Sequence, residues 1–169
     1  MLKVVITGPE SSGKTTLARS LAAHYRVPWV AEYAREYIDQ LSRPYQEADL
    51  LRIAQEQVRR EDAAAQTNPP LLICDTSLLV LRIWSYYRYG RCDPWIEQQF
   101  ARRPVDHYLL CSPDLPWQPD PQRENQHNRL ELLEQYEQAL SDKRYTLVSG
   151  RGNERLGAAS RAVDRLLGT

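Results

Sequence analysis

The sequence predicts a parallel α/β fold, a three-layer αβα sandwich in which one five-stranded sheet lies between two layers of helices. Three observations predict it. Five short apolar runs recur along the chain, separated by longer stretches whose apolar residues fall three or four apart. The runs are mostly continuous rather than alternating, as strands covered on both faces require. The first run leads through a glycine-bounded turn straight into a helical stretch, the unit from which such sheets are built.

Taken in order, residues 2–7 (LKVVIT) are a β-branched run broken by Gly8. Leu17, Leu21 and Tyr25 then mark a helix over 15–25. Residues 28–31 (PWVA) read as a second strand, and a helix follows with Glu32, Tyr33, Arg35, Glu36 and Tyr37 near its start. Residues 46–66 are polar and alanine-rich, which predicts a long, largely exposed helix, stopped by Asn68-Pro69-Pro70. Residues 71–75 (LLICD) form an apolar strand ending in a carboxylate, with another helix from about Leu78. Residues 107–111 and 145–148 supply the last two strands, separated by a helix around 129–140, and a helix over 154–167 closes the chain. Residues 112–123 hold four prolines and no periodicity, so they predict a stiffened loop. We take about 112–129 as a lid on a single domain spanning 1–169.

Composition bounds the function. The 22 basic and 22 acidic side chains balance, with 42% hydrophobic and 26% charged residues, which is ordinary for a globular domain. No basic stripe points to nucleic acid. No apolar stretch reaches membrane-spanning length, and the N-terminus lacks the pattern of a secretion signal. Cys74, Cys92 and Cys111 are odd in number and widely spaced, which fits reduced thiols and a cytoplasmic setting. His24, His107 and His127 show no zinc-ligand spacing.

Gly8-Pro9-Glu10-Ser11-Ser12-Gly13-Lys14-Thr15 matches G-x-x-x-x-G-K-[ST] in full, between a predicted strand and a predicted helix. Such a phosphate-binding loop, or P-loop, turns successive backbone N–H groups inward around an anion, and the helix start adds its positive end. These residues with Thr16 are the candidate ATP site. Lys14 is placed to reach the β- and γ-phosphates and the Thr15 hydroxyl to hold Mg²⁺. A plain glycine turn needs neither the lysine nor the threonine. The expected fold is therefore that of a P-loop NTPase.

Asp75 ends its strand on the same edge of the sheet, where a carboxylate serves Mg²⁺ directly or through water; the plainer alternative is a solvated strand-end Asp. Glu32 and Arg35 follow the second strand and should face the same crevice. Glu32 is a candidate base for a substrate hydroxyl and Arg35 a candidate anchor for an anionic group. They could instead be a simple i, i+3 helix pair. Arg123 and Arg129 flank the start of the helix after the proline loop, and guanidinium groups there can neutralise charge on a transferring phosphate. Among the aromatics, Tyr33, Tyr37 and Trp117 are expected on the crevice side, with Tyr33 a candidate substrate contact.

Together GPESSGKTT, EYAREY, CDTS, LPWQPDPQRE and the late VSGRGNERL resemble the ribosylnicotinamide-kinase-like family, the kinase domains of NadR-type regulators of NAD biosynthesis. The family also includes proteins known only as AAA-type ATP-binding proteins. The resemblance runs over nearly the whole chain. It implies a nucleoside- and nucleotide-kinase-like fold and transfer of the ATP γ-phosphate to a riboside 5′-hydroxyl, with ATP on residues 8–16, Asp75 on Mg²⁺ or the acceptor, and Arg123 and Arg129 in the lid. Two positions depart from it. Asp75-Thr76-Ser77 stands where the family often has Asp-Thr-Asp, and Ala31 stands before Glu32 where an aromatic can occur. The adenylyltransferase and DNA-binding parts of those regulators have no counterpart expected here.

The leading expectation is an ATP- and Mg²⁺-dependent kinase for a small nucleoside-like substrate, nicotinamide riboside first. The alternatives are an ATP- or GTP-binding regulatory module without kinase activity, and a kinase for another nucleoside or a nucleotide. Exposed lid arginines would favour the module.

Overall fold

A computed structural model describes residues 1–168. The chain runs through β1 (Leu2–Thr7), α1 (Lys14–Tyr25), β2 (Trp29–Val30), α2 (Tyr33–Asp39), α3 (Glu47–Ala65), β3 (Leu71–Asp75), α4 (Leu78–Tyr89), α5 (Pro94–Arg102), β4 (His107–Cys111), α6 (Arg129–Ala139), β5 (Tyr145–Val148) and α7 (Gly152–Leu167). The sheet has the order β2-β3-β1-β4-β5 and every pairing is parallel. β1 is central, with Val4 opposite Ile73 of β3 and Val5 opposite Tyr108 of β4.

The two faces of the sheet follow from the alternation of side chains along a strand. Val4, Ile6, Leu71, Ile73 and Leu109 pack with Leu17 and Leu21 of α1 and Ala159 and Val163 of α7. Val5, Leu72, Cys74 and Leu110 pack on the other face with Leu79 and Ile83 of α4 and Leu132 and Tyr136 of α6. This burial on both sides is why the strands are continuous apolar runs, and it delivers the predicted αβα sandwich. No helix among the described residues is long and apolar enough to cross a membrane.

Two elements correct the sequence expectation. α3 is not largely exposed: Asp49, Leu50, Ile53, Ala54, Gln57, Val58 and Glu61 are buried along one face, where α2, α4 and α5 build a third apolar cluster with it. Its buried polar residues all have partners. Asp49 accepts from Arg43 and from the Tyr37 hydroxyl, Gln57 accepts from the Tyr33 backbone N–H, and Glu61 pairs with Lys3 at 2.5 Å. The second correction is α5, which the sequence reading passed over. Asp93 caps it by accepting from the Trp95 backbone N–H (2.8 Å), and Pro94 occupies its first position, a start pattern that fixes φ where no N–H is needed.

Candidate active site

β1 ends at the mouth of the sheet beside the tips of β3 and β4, so the loop after it has little room. A Cβ on Gly8 would lie 2.6 Å from the Cys111 carbonyl oxygen, and the residue has φ +134°. Gly13 has φ +80°, and its Cβ would meet Leu115 of the lid at 2.8 Å. Both glycines of the motif are thus required by backbone geometry and close approach. Between them the loop is stitched internally: the Ser12 hydroxyl and the Lys14 ammonium both donate to the Pro9 carbonyl, at 2.7 and 2.8 Å. α1 begins at Lys14, so the loop wraps the unsatisfied N–H end of a helix.

Under the loop, the Thr15 hydroxyl donates to Asp75 Oδ2 at 2.5 Å. Asp75 is 1% exposed, and its Oδ1 has no hydrogen-bond partner among the described residues. Burial raises its pKa, opposed by the Thr15 hydrogen bond and by the charges of Lys14 and Arg19. A hydroxyl beside a carboxylate with an unused oxygen is a hard donor set of the kind Mg²⁺ takes. Thr15 and Asp75 therefore fit a magnesium ion.

Glu32 stands immediately before α2, just past the tip of β2, and its side chain makes no capping bond to the helix. It lines the same cavity as the phosphate loop, a space of about 550 Å³. Burial raises its pKa; Lys14 opposes this, while Asp75 raises it further. A carboxylate less comfortable as an anion is a stronger base for a hydroxyl proton.

The lid closes over both groups. Arg35 Nη1 pairs with Asp120 Oδ2 at 2.6 Å, which ties α2 to the proline loop. Glu10 Oε2 accepts from the backbone N–H groups of Glu124 (3.1 Å) and Asn125 (2.9 Å). Arg123 Nη1 reaches the Ser11 hydroxyl at 3.4 Å. Arg129 donates to the carbonyls of Leu115 (3.0 Å) and Ser11 (3.4 Å) and lies over the Trp117 ring.

Of the residues singled out from sequence, Gly8, Pro9, Glu10, Ser11, Ser12, Gly13, Lys14, Thr15, Thr16, Glu32, Arg35 and Arg123 line the cavity. Asp75 lies just beneath, behind Thr15, and Arg129 touches the loop from the lid side. Tyr33, Tyr37 and Trp117 do not line it. The Tyr33 ring lies 4.3 Å from the Arg60 guanidinium, the Tyr37 hydroxyl serves Asp49, and Trp117 supports Arg129. The helix turn that exposes Glu32 and Arg35 to the crevice points its tyrosines toward α3 instead. The aromatic wall comes from Trp84 and Tyr87 of α4 and Tyr136 of α6. Val80, Ile83, Trp84 and Tyr87 fall at i, i+3, i+4 and i+7 from a strand tip, and that stripe was the available clue. Arg155, also on the cavity wall, lies in the VSGRGNERL segment that carries part of the resemblance, but the sequence reading gave it no role.

Known proteins resemble this arrangement. The trifunctional NAD biosynthesis/regulator protein NadR of Escherichia coli (strain K12) is 27% identical over 123 residues, which cover 69% of this chain and 30% of that protein. A crystal structure of NadR protein in complex with NR superposes with a TM-score of 0.84 at 25% identity, over 99% of this chain and 52% of that one. This chain thus spans only about a third to a half of those relatives. The thymidylate kinase of Ehrlichia chaffeensis shares the fold over 98% of both chains, with a TM-score of 0.69 at 13% identity. The family model described as AAA domain matches residues 3–155, and the chain, with its phosphate loop and parallel sheet, belongs to that AAA-domain family of P-loop proteins.

Proposed function

We propose that this protein transfers the γ-phosphate of ATP to a nucleoside hydroxyl, with nicotinamide riboside the first candidate acceptor. The observation that carries the reading is that a phosphate loop and a half-buried carboxylate of raised pKa, Glu32, line a single cavity under an arginine-bearing lid.

The residues divide the work. The N–H groups around Gly13 and Lys14 receive the triphosphate, and Lys14 leaves the Pro9 carbonyl for the β- and γ-phosphates. Thr15 and Asp75 would hold Mg²⁺, which when bound would supply positive charge to the phosphate oxygens. Glu32 accepts the proton of the acceptor hydroxyl as that oxygen attacks the γ-phosphorus and the bond to the β,γ-bridging oxygen breaks, with ADP leaving. Arg123 faces the developing charge from the lid.

The character of the acceptor half supports a nucleoside over a nucleotide. It is walled by Ile83, Trp84, Tyr87 and Tyr136 and carries Glu32 and Glu124, while Arg35, a cation beside Glu32, is already paired with Asp120. Aromatic faces and carboxylates suit a cationic pyridinium ring, and they disfavour an added phosphate on the acceptor. The likeness to NadR, whose structure holds NR, points the same way. Three free cysteines, two of them buried, fit a cytoplasmic enzyme.

A screen of nucleosides and nucleoside monophosphates with ATP and Mg²⁺ tests this. Turnover of nicotinamide riboside or another nucleoside, with monophosphates left unreacted, is the expected result. No acceptor, or monophosphates alone, would overturn it.

A further inference from the structure

Arg155, in the first turn of α7, is 4% exposed, an unusual place for a charge unless its nitrogens are partnered. All three of them donate. Nε donates to the Gly150 carbonyl (2.8 Å), Nη1 to the Ser12 carbonyl (2.6 Å), and Nη2 to the Ser112 carbonyl (3.1 Å) and to Asp114 Oδ1. Asp114 Oδ2 in turn accepts from the Gly150 backbone N–H at 2.7 Å. One ion pair therefore joins three separate loops: the phosphate loop, the stem of the lid and the β5–α7 turn.

Those loops also border the cavity. Leu115 and Pro116 follow Asp114, Gly152 and Asn153 follow Gly150, and Leu156 follows Arg155; all five line the cavity. Glu32 and the aromatic wall come from other elements, α2, α4 and α6, so we assign this rim to the base of the nucleoside triphosphate. Apolar surfaces from Leu115, Pro116 and Leu156 suit a stacked planar base.

We propose that Arg155 and Asp114 are a positioning pair that fixes this base-binding rim at a set distance from the phosphate loop. The inference rests on the proposed occupancy of the site by a nucleoside triphosphate. Arg155 contacts loop backbone and Asp114, so its effect on a nucleotide is exerted through the rim. Breaking the pair should cost the affinity contributed by the base and spare that contributed by the phosphates.

Calorimetric titration of Mg-ATP and of Mg-tripolyphosphate, which has no base, separates the two contributions. Wild-type protein should bind ATP more tightly than tripolyphosphate. Asp114→Asn keeps an acceptor for Gly150 but removes the charge; the ratio of the two affinities should fall about tenfold, the scale of one charge-assisted hydrogen bond. Tripolyphosphate affinity should stay within about threefold, less than the scale of that bond. Arg155→Lys should act in the same direction, and if it does not fold, Asp114→Asn alone decides. An unchanged ratio, equal losses for both ligands, or a wild-type ratio near unity overturns the proposal. Because only binding is read, a protein that binds ATP but transfers no phosphate would sink the proposed function and leave this result interpretable.

Discussion

At Glu32 a carboxylate sits where desolvation raises its pKa above the ordinary value of 4.5. As a base it works only when ionised, so kcat/KM should rise with pH on a limb whose midpoint lies above the usual carboxylate range. Glu32→Gln should lower kcat about a hundredfold or more, the scale of one positioned base, and hardly move ATP affinity. Stability should respond with the opposite sign. A carboxyl whose folded pKa is raised binds its proton more tightly when folded, so its contribution is present at acid pH and is lost as pH rises through the raised value. Relative to wild type, Glu32→Gln should therefore gain stability as pH rises from about 4.5, the ordinary value, through the raised one in denaturant titrations. A kcat within twofold of wild type would shift the base role to Asp75. Glu32 was legible from sequence because a strand tip preceded it. Trp84 and Tyr87 were not, because aromatics at helical spacing look the same whether they face a core or a cavity.

The lid is held at both ends by groups from other elements, α2 through Arg35 and the phosphate loop through Glu10 and Ser11. Arg35 is 48% exposed, so its pair with Asp120 contributes less than about 1 kcal/mol to global stability. Its larger effect should be local. Asp120→Ala should leave the melting temperature within a few degrees, as expected for a loss of that size, yet speed proteolytic cleavage within residues 112–128. Cleavage at the wild-type rate would show that the pair does not hold the lid. The strands β1, β3 and β4 were readable because burial on both faces leaves no other pattern. α3 misled because its buried face carries Asp49, Gln57 and Glu61, each paired by a residue distant in sequence or in a neighbouring element. A pattern of apolar spacing cannot register a polar group whose partner is elsewhere in the fold. α5 was legible in principle from Asp93-Pro94, a cap followed by a first-turn proline.

Across the molecule, one topological fact organises the function. β1 lies between β3 and β4, so the phosphate loop, Asp75 and the lid stem all emerge at the same edge of the sheet, where parallel α/β folds place their ligands. The claim that follows is transfer of phosphate rather than binding of nucleotide alone. Incubating the protein with γ-labelled ATP, Mg²⁺ and nicotinamide riboside, beside a Lys14→Ala control, tests it most directly. Lys14 makes its hydrogen bond to the Pro9 carbonyl of its own loop, so the variant should fold normally. The account predicts label in the nucleoside product, with the variant slower by about a hundredfold or more, the loss expected when one transition-state contact is removed. Label released only as inorganic phosphate, or a Lys14→Ala variant that transfers label at the wild-type rate, would contradict it.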